Sequence, residues 1–181
     1  MKTRWAIGRA LCAAAACIMT IATAAAVEFV REPAGPRIDQ TLDVALPVAT
    51  VWRHWSTQAG VQAWFAPEAK VELRVGGPYE MHFNPKAPAG EKGSEGTVVM
   101  AWVPEELLVF SWNAPTRFGR LRDEHTWVVV RLEKRGESTT RIHFTHYGFG
   151  AGAEWAQVHA YFKDAWAFVL KNYAGHAARG G

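Results

Sequence analysis

Histidine is the residue type here best suited to proton transfer or metal ligation near neutral pH. Four of the seven, His125, His143, His146 and His159, fall on apolar-patterned segments. A metal site needs several ligands to converge. His143 and His146 are three apart in a stretch that alternates with a period of two, so they face opposite sides, and His143 shares the polar face with Arg141. His125 is out of phase with Val128 and Val130. That leaves His146, in phase with Phe144, and His159, on the apolar side of a helical pattern. Two histidines make a poor zinc site, so no metal is expected. A buried neutral imidazole hydrogen-bonded to a neighbour fits better, with a polar anchor for a guest as the functional alternative.

Other reactive constellations are sparse. Asp123 and Glu124 stand beside His125, but Arg120 and Arg122 flank them and the run reads as a solvated charged loop. There is no glycine-rich phosphate loop, Walker pattern or nucleophile-base set, so no catalytic residue, cofactor, ATP or nucleic acid is assigned. Both cysteines, Cys12 and Cys17, precede Glu28, and the rest of the chain offers no thiol.

Apolar aromatic residues carry the stronger signal. Trp64, Phe83, Met100, Phe110, Trp112, Trp155, Phe162 and Trp166 are expected to point at one interior, and with His146 and His159 they form the expected binding set for a small hydrophobic or aromatic molecule. The bland alternative is that they fill the core.

The elements that must position these residues can be read from periodicity. Ile38, Gln40, Leu42, Val44 and Leu46 alternate as a strand, which Pro47 stops. Val48, Val51, Trp52 and Trp55 then recur at helical spacing, and a second short helix runs through Val61, Trp64 and Phe65 to Pro67. Strand patterns follow in series: Tyr79, Met81 and Phe83; Leu108, Phe110 and Trp112; Thr126 to Leu132; Ile142, Phe144 and His146. Gly76-Gly77, the Asn84 to Gly93 loop and Pro104 punctuate them. That loop is either a gate to a cavity or a simple hairpin excursion. From Trp155 to Tyr173 a helical stripe covers the sheet, with Glu154 in its first turn and Gly175 expected just past its end. The expected class is α+β, a curved antiparallel sheet gripping one long helix, with two short helices after the first strand.

The full chain has 181 residues, 49% hydrophobic and 20% charged, an ordinary composition for one globular domain. Its net charge of +3 comes from Lys2, Arg4 and Arg9, the only charges before Glu28. An uncharged stretch then ends in small residues at Ala24 and Ala26. Residues 1–26 therefore read as a signal peptide, 27–36 as a linker, 37–175 as the domain and 176–181 as a flexible tail. Removing those three of the twenty basic residues leaves seventeen against seventeen acidic ones, so the remainder is neutral. The expected location is periplasmic or secreted. An uncleaved anchor and a lipoprotein site at Ala14-Ala15-Ala16-Cys17 are the alternatives; alanine suits an anchor poorly, and Ala14 stands where a large aliphatic residue is usual.

Several motifs carry a family resemblance: VWRHW at Val51 to Trp55, AWFAP at Ala63 to Pro67, Gly76-Gly77 before Tyr79, EGTV at Glu95 to Val98, LLVFSW at Leu107 to Trp112 and THYGFG at Thr145 to Gly150. With them the chain from Ile38 to Tyr173 resembles the helix-grip fold of the START-like, or Bet v 1-like, superfamily, and within it the family named after the activator of Hsp90 ATPase. The resemblance implies a sheet of six or seven strands and a cavity between sheet and C-terminal helix, used in the superfamily for apolar ligands. The eponymous activity does not suit an exported chain, because Hsp90 is cytosolic and ATP-dependent. Polyketide-cyclase-like or hydrolase-like catalysis in the same cavity is the enzymatic alternative, and an envelope interaction module the third.

Overall fold

The computed structural model describes residues 35–180. The expected signal peptide and most of the linker after it lie outside the described residues. Strand β1 (Ile38–Val44) starts the domain with Ile38 and Val44 buried. Helix α1 (Val48–Ser56) buries Val51 and Trp55, and α2 (Gln58–Trp64) follows after one residue. Thr57 makes that tight junction possible, because its hydroxyl accepts the Gly60 N–H at 3.0 Å and caps α2.

The strands β2 (Glu68–Val71), β3 (Tyr79–His82), β4 (Val99–Val103), β5 (Leu107–Trp112), β6 (Thr126–Gly136) and β7 (Thr139–Tyr147) complete the series. A short 3-10 segment, Thr116–Arg122, separates β5 from β6. The main sheet has five antiparallel strands in the order β1-β7-β6-β5-β4, and β2-β3 forms a separate two-stranded ribbon. This corrects the expectation of one sheet of six or seven strands. The ladder breaks because Pro78 has no N–H to donate and because buried hydroxyls stand in for backbone partners. Ser94 Oγ accepts the Met81 N–H at 2.8 Å, and Thr97 Oγ1 donates to the Tyr79 carbonyl oxygen at 2.6 Å. Only the isolated bridge Pro78–Val98 and bonds such as Tyr79 N–H to Thr97 O, 2.9 Å, join ribbon and sheet.

The long helix α3 (Ala153–Ala177) lays Trp155, Val158, Phe162, Trp166, Leu170 and Tyr173 against the sheet's inner face. Leu108, Phe110, Val128, Val130, Ile142 and Phe144 answer from the strands, all nearly fully buried. Burying side chains of this size contributes about 1.5–3 kcal/mol each and is the main force holding helix to sheet. The helix runs through Gly175 instead of stopping before it, and residues 176 and 177 belong to it and not to a tail. Ala177 is buried and the His176 ring meets His54 of α1 at 5.1 Å between centroids. That packing outweighs the cost of about 1 kcal/mol for an internal glycine. No helix among the described residues is long and apolar enough to cross a membrane.

Candidate functional site

A cavity of about 470 Å³ opens between the middle of α3, the end of α2, the last residues of β5 and the loop after β3. Phe65, which ends α2, organises its wall. Its ring lies parallel both to Trp64, at 4.7 Å, and to Trp112, at 6.0 Å, each within 9°. Phe83 meets it edge-on at 5.7 Å, and Trp166 closes the wall 5.2 Å from Trp112. Offset and tilted contacts at these separations are the favoured geometries of aromatic rings, so the rings of the wall support one another.

Of the residues expected at this interior, Trp64, Phe83, Trp112, Phe162 and Trp166 are brought together around the cavity. Phe110 lies in the core behind it, stacked on Tyr79 at 4.3 Å. Trp155 is buried near the start of α3 against Phe149. Met100 is 43% exposed and does not face the interior, which corrects its assignment. The cause is ordinary alternation: Val99 is the fully buried residue of this strand, so its neighbour Met100 points to the other face. His159 does not reach the cavity either. Its Nε2 sits 3.1 Å from the Arg37 carbonyl oxygen and its ring meets Phe149.

His146 is fully buried directly behind the wall. The indole N–H of Trp166 donates to its Nδ1 at 2.9 Å, and Nε2 lies 2.7 Å from Thr126 Oγ1, whose proton goes to the Trp112 carbonyl oxygen at 3.0 Å. Because an indole nitrogen can only donate, Nδ1 must be the acceptor and Nε2 must carry the proton. The result is a one-way relay from α3 through β7 and β6 to β5. Burial, with a smaller contribution from the charge of His159, pushes the His146 pKa down to about 3. Neutral, and with both nitrogens engaged, this imidazole positions Trp166 and has no free site with which to take a proton from a guest.

The cavity also has a polar rim. Arg120, Asp123 and Glu124 are exposed, as expected of a solvated charged run, but Arg122 of the same run turns to this rim. Arg122 reaches the cavity and binds four neutral oxygens: Nη1 donates to the Ala114 carbonyl at 2.7 Å and, more distantly, to Asn113 Oδ1 at 3.4 Å. Its Nη2 donates to the carbonyls of Gly90 and Gly93 at 2.9 and 2.8 Å. The loop is therefore held in place at the cavity mouth, where Asn84, Glu91 and Lys92 line it. Phe65 and Arg122 are site residues absent from the expected binding set. The AWFAP motif held the signal for Phe65; nothing local marked Arg122, whose partners lie 8 to 32 residues away.

The fold has many counterparts. Protein MLL2253 from Mesorhizobium loti superposes with a TM-score of 0.64 at 15% identity, covering 80% of this chain and 98% of its own. An Aha1 dimer from Colwellia psychrerythraea gives 0.58 at 16%, with 78% and 95% covered. An Hsp90 activator from Plasmodium falciparum gives 0.56 at 18%, with 73% and 88% covered. Similarity at this identity shows the fold alone. No curated protein sequence matches the chain. The sequence itself, however, matches the family described as activator of Hsp90 ATPase homolog 1-like protein over residues 45–175. That stretch begins just before α1 and ends within the last turn of α3, so the match takes in every element that builds the cavity, and the chain belongs to the activator of Hsp90 ATPase homolog 1-like family.

Proposed function

We propose that this domain binds a small hydrophobic or aromatic molecule, non-covalently, in the cavity between α3 and the sheet. The carrying observation is the preformed aromatic wall of Trp64, Phe65, Trp112 and Trp166 around about 470 Å³ of space, a volume in the range of small-molecule sites. Burial of apolar surface supplies the driving force, and polar rim groups set orientation. A cyclase-like or hydrolase-like reaction would need an acid or base at the guest. His146 is turned into its relay, which favours binding over turnover. The leader at residues 1–26 supports export to the periplasm or beyond, and an exported chain has no access to cytosolic Hsp90.

Native mass spectrometry of the protein recovered from the periplasm without detergent tests this reading. A reproducible excess mass that vanishes on denaturation is the expected result and delivers the guest for identification. A bare native mass, unchanged after incubation with apolar extracts, would overturn it.

A further inference from the structure

The geometry points to an anionic guest: we infer that the cavity takes an apolar acid, with its planar or aliphatic body on the aromatic wall and its carboxylate at the Arg122 rim. This rests on the binding reading above and names the ligand class for it. The argument begins with charge. Arg37, Arg74, Arg120, Arg135 and Arg141 each pair with a carboxylate. Among the described residues Arg122 forms no ion pair, as is also true of Arg53, Arg117 and Arg131, but of these it alone lines the cavity and it is partly buried; its four partners are neutral oxygens that satisfy its Nη N–H groups and leave Nε–H and the positive charge without a carboxylate.

Lys92 adds a second cation to the lining against one carboxylate, Glu91. The nearby Glu95 accepts the backbone N–H groups of Gly90 and Lys92 at 2.9 and 2.7 Å and does not itself line the cavity. The lining thus carries a net positive charge although the chain from residue 27 onward, lining included, sums to neutral. Four hydrogen bonds also fix the guanidinium in place, so a guest spends no binding energy on ordering that side chain. A fixed charge bordered by low-dielectric aromatic surface acts more strongly than the same charge in open water.

A matched probe pair separates the charge from the apolar body: 8-anilinonaphthalene-1-sulfonate and its uncharged parent N-phenyl-1-naphthylamine, titrated by fluorescence. The sulfonate is expected to bind about tenfold more tightly at low salt, and this preference should shrink as salt rises. Arg122→Gln should remove most of the preference, weakening the sulfonate far more than the neutral probe. Because that variant also loosens the loop, Lys92→Gln serves as a second variant, expected to weaken only the sulfonate by a few-fold. Equal affinity for the two probes, with both displaced by Ala165→Phe, would overturn the anionic inference while leaving the cavity as a binding site. If neither probe binds, or Ala165→Phe displaces neither, the inference falls together with the binding reading.

Discussion

At the scale of single residues the relay through His146 links chemistry to stability. The native imidazole resists protonation down to about pH 3, whereas in an unfolded chain it titrates near its ordinary 6.5. Between those values the unfolded state binds more protons, so stability is greatest above pH 6.5 and falls as the solution is acidified. One such group changes the unfolding equilibrium about tenfold per pH unit. His54 and His176, whose pKa values are lowered chiefly by burial, act in the same direction. Urea unfolding at several pH values should show this acid slope. His146→Gln is expected to cost about 1–3 kcal/mol at pH 7, through the buried partners it leaves behind, and to flatten the slope. An unchanged slope in the variant would remove His146 as its source. Alternation in the strand placed His146 on the inner face correctly, because period-two geometry is local. It could not supply Trp166 or Thr126 as partners, each 20 residues away.

At the scale of elements, the exit from β7 is governed by a glycine in a conformation closed to other residues. Gly148 has φ +89°, and a Cβ there would run into the Trp127 ring of β6. Trp127 in turn stacks on Tyr147 at 6.2 Å, a contact it would have to give up in order to yield. Gly148→Ala should therefore destabilise the domain by about 2–6 kcal/mol, from strain and overpacking together. Gly152, at φ +100° and ψ 172° with open space around its Cβ position, is the control, since Gly152→Ala should show backbone strain alone, about 1–3 kcal/mol. Thermal denaturation of the pair distinguishes them, and equal losses would mean that Trp127 moves aside. Most elements here could be read from the sequence because proline, glycine and apolar spacing act within a few residues. The sheet's division could not, since it depends on the hydroxyls of Ser94 and Thr97 reaching strand β3 across a loop. Nor could the extra turn of α3, which is set by contact with α1.

For the whole molecule, the cavity can be filled without disturbing the rest. Ala165 lines it from α3 and is only partly buried, so Ala165→Phe should leave stability within about 1 kcal/mol while excluding the guest. Chemical denaturation and native mass measured on the same preparation check both halves, and retention of the guest would argue against this pocket. The wall itself has one more property. The indoles of Trp112 and Trp166 stand 5.2 Å apart with their planes tilted by 49°. Chromophores that close share their excited states, and the pair shapes the near-ultraviolet circular dichroism as neither ring would alone. Since one side chain is carried by the sheet and the other by the helix, this optical coupling works as an unlabelled gauge of the gap between the two layers, and it changes when a bound molecule tilts either ring.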